Sequence, residues 1–534
     1  MQTNGCSVGQ MADPRGDYNA LPYPSMPFGY SQPSHLAALA TLFGFETPAA
    51  ETARVLELGC AAGGNIIPLA ERFPDATFLG VDFGRRHVDD GRKRIAALNI
   101  KNVALREEDI MELSFAGAQF DYLICHGVFS WVPKRTQDAI FRICRQALAP
   151  NGIAAISYNV LPGWHLRRVV RDICLYHVGT QGTPHERVAK ARVVLQELAG
   201  LVSNSEPYGL LLRNEAKRFA QLPASYILGE FLASDNTPCY FREFIDRAAQ
   251  SGLGYLCEGD LGSSVSGMIF PETGARLRAI SSPDLLALEQ NKDFVTGRPF
   301  RRSLLTRTEL DGGAPRTPKA DRLRSLHIAC QLTLDATRSD RHVSIYKDAR
   351  GRSITARDPV VRRALARLAE SYPSTLTLNQ LAQSDARTDQ IDEREVTFRI
   401  CEALFLLVAA GQARISSLPL RAGRSSDEQP KAWSVARVEA TAKQPWVTSL
   451  RHEALPLDTV ARYLIGHLDG ANDRQRLTAL LADALRSGVV QIPDCKVDDF
   501  AGPDHDSVEA IAAQHVEQTL SFLARNALLA PAQS

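Results

Sequence analysis

The sequence predicts an α/β protein: a parallel sheet with helices on both faces, a helical insertion, and mostly α-helical modules behind it. Three observations carry this. Short apolar runs alternate with amphipathic stretches of helical length through the first 165 residues. The first run ends in a glycine-rich turn, Gly59-Cys60-Ala61-Ala62-Gly63-Gly64. The next two lead into acids, Asp82 and Asp109. Apolar strands spaced by helices of this length make βαβ units, and such sheets bind ligands at their carboxyl edge, near the switch in strand order.

The elements follow in order. Residues 54–58 are the first strand, and a helix is expected over about 65–73. Residues 76–81 are the second strand, closed by Asp82. A helix over about 85–98 leads to the third strand, 103–106, and then to Asp109. Residues 120–125 are the fourth. A helix over 136–149 should stop at Pro150-Asn151-Gly152, because proline and glycine end helices, and 153–158 is the fifth strand. Residues 166–235 read as helical. An amphipathic helix at 240–248 then leads into strands at 253–257 and 300–306. The expected units are therefore an amino-terminal arm and core over 1–165, a helical insertion over 166–235 and the rest of the core over 236–310. Segment 311–323, rich in Gly, Pro, Lys and Arg, reads as a linker. Residues 324–420 and 430–534 read as two small, winged-helix-like modules, with a buried helix at 403–410.

Composition narrows the function. Hydrophobic residues make up 45% and charged residues 23%, which excludes disorder as the dominant state. Sixty-one Lys+Arg against 60 Asp+Glu leaves a charge of +1, so no nucleic-acid partner is expected. No run approaches a membrane span and Met1–Gly5 has no export signal, so no membrane insertion is expected. Ten cysteines lie scattered without a C-x-x-C pair. They read as reduced thiols in a cytoplasmic protein, with no metal site.

The chemistry concentrates at the strand ends. A dinucleotide pyrophosphate wants G-x-G-x-x-G. Here Ala61 stands where a second glycine would be, and Glu57 precedes the first. That acid would repel a pyrophosphate and attract an amino-acid ammonium. This points to S-adenosylmethionine, which has a methionine end and no phosphate. Glu57, Gly59, Ala61, Gly63 and Asn65 would hold that end, Asp82 the ribose hydroxyls, and Asp109 with Ile110 the adenine. The loop after the fourth strand, His126-Gly127-Val128-Phe129-Ser130-Trp131-Val132-Pro133, faces the group to be transferred. It is not Asn-Pro-Pro-Tyr, which lowers the weight of amino-methylating DNA and glutamine enzymes. The loop after the fifth, Asn159-Val160-Leu161-Pro162-Gly163-Trp164-His165, brings a second of the chain's four tryptophans. Aromatics at Tyr18, Tyr23, Phe28 and Tyr30 suggest an arm closing over the cofactor, with tyrosine faces on its sulfonium.

These stretches, with Thr237-Pro238-Cys239-Tyr240-Phe241, Arg298-Pro299-Phe300-Arg301 and Leu468-Asp469-Gly470, resemble bacterial methyltransferases that carry a methyltransferase regulatory domain. The best-known members are lysine methyltransferases of outer-membrane proteins. The resemblance implies a Rossmann-like class I methyltransferase sheet, S-adenosylmethionine as cofactor, and lysine side chains of a protein as acceptor, such as an outer-membrane protein before export. The cofactor residues would be Tyr18, Tyr30, Glu57, Gly59, Ala61, Gly63, Asn65, Asp82, Asp109, Ile110, His126 and Gly127. The acceptor pocket would be walled by Trp131, Tyr158 and Trp164, with Asn159 accepting a hydrogen bond from the amine. The insertion is a candidate dimerisation element, giving a homodimer. Two departures stand out: Ala61-Ala62 where a glycine is expected, and Gly229 where the family tends to have histidine. A small-molecule methyltransferase and a non-catalytic cofactor-binding scaffold remain as alternatives.

Overall fold

The computed structural model describes residues 21, 24–115, 119–269, 271–281, 284–308, 317–382, 392–492 and 505–531. After helix α1 (Pro33–Leu42), the chain builds β1 (Arg54–Leu58), α2 (Ile66–Arg72), β2 (Thr77–Asp82), α3 (Arg85–Leu98), β3 (Val103–Glu107) and β4 (Phe120–Cys125). Next come α4 (Lys134–Ala147) and β5 (Leu148–Asn159). Strands β1, β2, β4 and β5 are mostly buried because their side chains meet helices on both faces, so they read as apolar runs, whereas the edge strand β3 alternates.

The fifth strand begins earlier than its apolar run suggests. Helix α4 stops at Ala147, and Pro150-Asn151-Gly152 lies inside β5, where the pairing with β4 shifts register between Phe120 and Tyr122. A proline has no N–H to give, and an irregular stretch of strand spares it that donor. The residues expected to end the helix therefore sit in the strand.

Four helices follow: α5 (Gly163–Val178), α6 (Pro184–Leu201), α7 (Pro207–Gln221) and α8 (Ala224–Phe231). Thr183 and Glu186 form a capping box that starts α6. Val188, Leu195, Leu212, Phe219 and Phe231 give these helices a core of their own. The sheet then resumes with α9 (Phe241–Gln250), β6 (Leu253–Glu258), α10 (Leu261–Ile269), α11 (Pro271–Ser281), α12 (Leu285–Thr296) and β7 (Phe300–Arg307). Strand order is β3-β2-β1-β4-β5-β7-β6, with β7 antiparallel to both neighbours. The order switches at β1, which lies between β2 and β4, so the ends of β1 and β4 face a shared crevice.

The sheet's two faces carry different cores. One groups Leu56, Leu123, Phe141, Ile156 and Phe244. The other groups Leu36, Val55, Ile67 and Tyr122, and runs on without a break to Leu323, Ile328, Leu365, Leu404 and Ile415. The described part of the expected linker is accordingly fixed. The Lys319 N–H and Arg322 Nη1 both donate to the Leu42 carbonyl, at 3.0 and 2.9 Å, which covers the open carboxyl end of α1.

Beyond it lie β8 (His327–Ala329), β9 (Leu332–Leu334), β10 (Ser344–Asp348), β11 (Ser353–Ala356), α13 (Pro359–Ser371), β12 (Leu376–Thr377), α14 (Leu378–Ala382), α15 (Glu393–Ala409) and β13 (Arg414–Ser416). Two small three-stranded sheets thus join helices; the segment expected to be buried at 403–410 ends the last of them, with Leu404, Phe405, Leu407 and Val408 buried and Leu406 exposed. Strands β9 to β11 are short and half polar, so no apolar run marks them. The last part holds α16 (Ser434–Thr441), β14 (Val447–Thr448), β15 (Ala454–Leu455), α17 (Thr459–His467), α18 (Arg474–Arg486) and α19 (His505–Arg525) around Val460, Leu464, Leu477, Leu481 and Leu520. It seats on α2 and α3. Trp433 and Ser434 donate to the Glu71 carboxylate, Arg94 pairs with Glu439, and Arg72 Nη1 donates to the Leu450 carbonyl at 2.9 Å. No described helix is long and apolar enough to cross a membrane.

Candidate cofactor and acceptor site

Glu57 lies near the end of β1 and is buried. Its Oε1 accepts from Asn65 Nδ2 at 2.9 Å, while Oε2 is buried without a partner. Burial pushes the carboxyl up to about 8; the Asn65 bond pulls the other way, and the Asp82 charge adds to the rise. The turn that follows is tight. A Cβ on Gly59 would come within 2.3 Å of Val128 Cγ2, so only glycine fits there. Gly63 also has a positive φ, +70°. Ala61 sits in the left-handed region at φ +46°, which L-alanine adopts at a cost of about 1 kcal/mol. Its N–H donates to Asp82 Oδ2 at 2.8 Å, and the Gly84 N–H donates to Oδ1 at 2.8 Å. Asp82 therefore sets the shape of both the first turn and its own. Asp109 lies two residues past β3 and caps the next turn through Met111 N–H at 2.9 Å; Ile110 packs half-buried on the core grouped around Leu56, Phe141 and Phe244, the lower core of the sheet.

The amino-terminal segment lies across this turn. Ser25 Oγ accepts from Gly64 N–H at 2.7 Å, and Asn65 Oδ1 accepts from Phe28 N–H at 3.0 Å and from the Ser31 hydroxyl at 3.1 Å. Phe28 packs on His126 with ring centres 3.7 Å apart. Tyr30 Oη lies 2.7 Å from His126 Nδ1. Burial raises the tyrosine above its ordinary value, so the phenol keeps its proton. Burial, then the Arg302 charge, lowers His126 to about 3, so the imidazole is neutral. Arg302 stacks over the Tyr30 ring at 4.8 Å. Beside these, Gly127 has φ +69°, and a Cβ there would meet nothing within 4 Å, so it faces open space. Tyr18 and Tyr23 lie outside the described residues.

On the other side, Trp131 and Trp164 meet edge to face, 5.8 Å apart at 78°. Trp131 is partly buried; Trp164 is 1% exposed and donates from Nε1 to Asn236 Oδ1 at 2.8 Å. Asn159 is held by its backbone, its N–H on Ser130 Oγ at 2.8 Å and its carbonyl accepting from Cys239 N–H at 3.3 Å. The Nδ2 atoms of Asn159 and Asn236 are both buried with no partner. Tyr158 does not join this group. It is stacked on Phe244 at 3.8 Å and 12° and bonded to Ser303 Oγ at 3.1 Å, inside the lower core. The strand runs one residue past the expected end, to Asn159, and side chains alternate across it, so Tyr158 turns inward.

Several residues escaped the sequence reading. Arg302 and Asn236 each flank a stretch quoted for the resemblance, which is the signal that would have found them. His452, described below, has none. Among the described residues, no group of His, Cys, Asp and Glu is arranged to hold a metal.

A switch-point crevice lined by a carboxylate with one oxygen buried and unpartnered, a glycine turn and an acid closing β2 defines a class I methyltransferase. Comparisons with known proteins agree. Residues 55–152 match the methyltransferase domain family, 223–307 the predicted methyltransferase regulatory domain, and 428–528 the C-terminal winged helix domain of PKMT. The uncharacterized protein RP789 of Rickettsia prowazekii is 30% identical over 491 residues, 90% of this chain and 88% of that one. RP028 of the same organism is 39% identical over 232 residues, 43% of this chain and 93% of that one. The solved structure of PKMT2 from Rickettsia typhi in complex with AdoHcy superposes with a TM-score of 0.85 at 27% identity, covering 95% of this chain and all of that one. The chain belongs to this family of S-adenosylmethionine-dependent methyltransferases with a regulatory domain and a PKMT-type winged helix.

Proposed function

We propose that this methyltransferase modifies lysine side chains of a protein substrate. In this reading Glu57, the Gly59–Gly63 backbone and Asn65 hold the methionine end of the cofactor, and Asp82 takes the ribose. Asp109 with Ile110 takes the adenine, and Tyr30, His126 and Gly127 border the reacting end. The observation that carries it is Glu57 Oε2. A carboxylate oxygen buried without a partner calls for a cationic donor, and an α-ammonium is one.

The cofactor supplies an electrophilic methyl on a sulfonium; the protein's task is alignment. In this reading Trp131, with Trp164 edge-on to it, walls the lysine stem. Asn159 would orient the amine by accepting from it. A lysine amine titrates near about 10.4 in water, and partial desolvation lowers that value, which reduces the need for a dedicated base.

The PKMT-type winged helix and the likeness to PKMT2 support a protein acceptor over a small molecule. The family resemblance supports an outer-membrane protein, modified in the cytoplasm before export. Exposed Tyr176, Val193, Leu201 and Leu210 on α5 to α7 support a homodimer formed through the insertion, which light scattering would measure. The direct test is incubation with methyl-labelled cofactor and a lysate split into protein, nucleic-acid and small-molecule fractions. Label should enter protein and be lost when lysines are blocked beforehand. Label confined to small molecules would overturn the proposal.

A further inference from the structure

The winged-helix module reaches the cofactor end of the sheet. His452, on the turn between β14 and β15, donates from Nε2 to Asn65 Oδ1 at 2.8 Å, across 387 positions of chain. The side chain is buried, and its backbone sits at φ +62°, a left-handed conformation set by the turn. Asn65 Oδ1 receives two further donors, the Phe28 N–H and the Ser31 hydroxyl, at 3.0 and 3.1 Å. The Phe28 N–H can only donate, so it orients the carboxamide with Oδ1 toward it, and His452 holds the same oxygen from the module. Turned over, the NH2 would meet that N–H. In the observed orientation Nδ2 donates to Glu57 Oε1 at 2.9 Å, which fixes that side chain and leaves Oε2 free. Burial, then the Arg72 and Arg94 charges, keeps His452 neutral, so it adds no positive charge beside the place of an ammonium.

We propose that His452 is a positioning residue of the cofactor site: the carboxyl-terminal module completes the methionine-end pocket by locking Asn65, and through it the carboxylate that meets the ammonium. This rests on the assignment of Glu57 to the methionine end. It makes cofactor affinity depend on how the module seats on α2.

The test uses the full chain, with S-adenosylhomocysteine titrated by calorimetry and S-adenosylmethionine varied in steady-state assays. His452→Phe keeps ring volume and removes the donor; His452→Gln restores an N–H at similar reach. The phenylalanine variant should bind S-adenosylhomocysteine at least tenfold more weakly and raise KM for S-adenosylmethionine. Its kcat at saturating cofactor and its KM for the acceptor should stay within twofold. The glutamine variant should recover to within threefold of native affinity. His452→Leu takes the place of the phenylalanine if that variant does not fold. Because His452 acts through Glu57, adding His452→Phe to Glu57→Gln should cause little further loss. Native affinity in His452→Phe, or losses that add in the double variant, would overturn the proposal. Native affinity in Glu57→Gln would instead sink the assignment on which it rests.

Discussion

Asn65 donates to Glu57 Oε1 at 2.9 Å and leaves the opposite carboxylate oxygen buried with no partner. That half-satisfied acid is costly in the empty protein and useful in the complex. Glu57→Gln keeps the shape and removes the charge. The loss of a charge-assisted hydrogen bond, about 1.5–3 kcal/mol, should weaken S-adenosylhomocysteine binding roughly 10- to 150-fold in calorimetry. Above pH 8 the empty variant should melt at or above the native temperature, because no buried charge then needs to form.

The same group sets a pH dependence. Its folded value of about 8 lies above the ordinary 4.5. Below about 8 the empty protein holds a proton that an incoming ammonium must displace. Cofactor affinity should therefore rise with pH up to about 8 and then level off, with a proton released on binding at pH 7. The stability of the empty protein should run the other way. Between 4.5 and about 8 the folded state binds more protons than the unfolded, so stability falls as pH rises through that window. Calorimetry in two buffers of different ionisation heat measures the proton count, and an affinity flat from pH 6 to 8 would contradict it.

Asp82 accepts from the backbone of Ala61 and Gly84, so Asp82→Ala should loosen the turn and, on the proposed assignment, remove the ribose acceptor. Affinity should fall more than tenfold, by roughly 1.5–3 kcal/mol per lost bond to the charge. Ala61→Gly relieves the left-handed alanine. It should raise the stability of the protein by about 1 kcal/mol at most, less the added freedom of the unfolded chain, read as a small rise in melting temperature.

The two tryptophans should separate function from stability. Trp131 is only partly buried, so Trp131→Ala should reduce turnover far more than cofactor binding and cost less stability than the change at Trp164. Trp164 is buried, and Trp164→Ala should destabilise the fold by about 3–5 kcal/mol. Tyr158→Phe should cost about 0.5–1.5 kcal/mol, for the bond to Ser303, with turnover unchanged. Chemical denaturation and kinetics on the same preparations read both effects.

Most of the sheet was legible because β1, β2, β4 and β5 are apolar runs bounded by a glycine, an acid or a proline. The pattern fails where a local signal has two meanings. Pro150-Asn151-Gly152 could end a helix or interrupt a strand, and only pairing with β4 decides. Tyr158 and Asn159 are adjacent, and which one faces the pocket depends on where β5 ends and on the stacking of Phe244, 86 positions on. The acids at the strand ends were readable from their places in the βαβ units. His452 was not, since no short-range spacing records a contact with Asn65 across 387 positions. The short, half-polar strands β9 to β11 carry too little apolar periodicity to be seen alone.

The central claim is that the methyl group reaches a lysine amine of a protein, from a cofactor anchored by Glu57. Tandem mass spectrometry of protein labelled in a lysate by the native enzyme, with Glu57→Gln run in parallel at limiting cofactor, tests it most directly. The account predicts label on lysine Nζ, and a much reduced yield in the variant. Label on a carboxyl, thiol or amide group, or equal lysine labelling by both proteins, would contradict it.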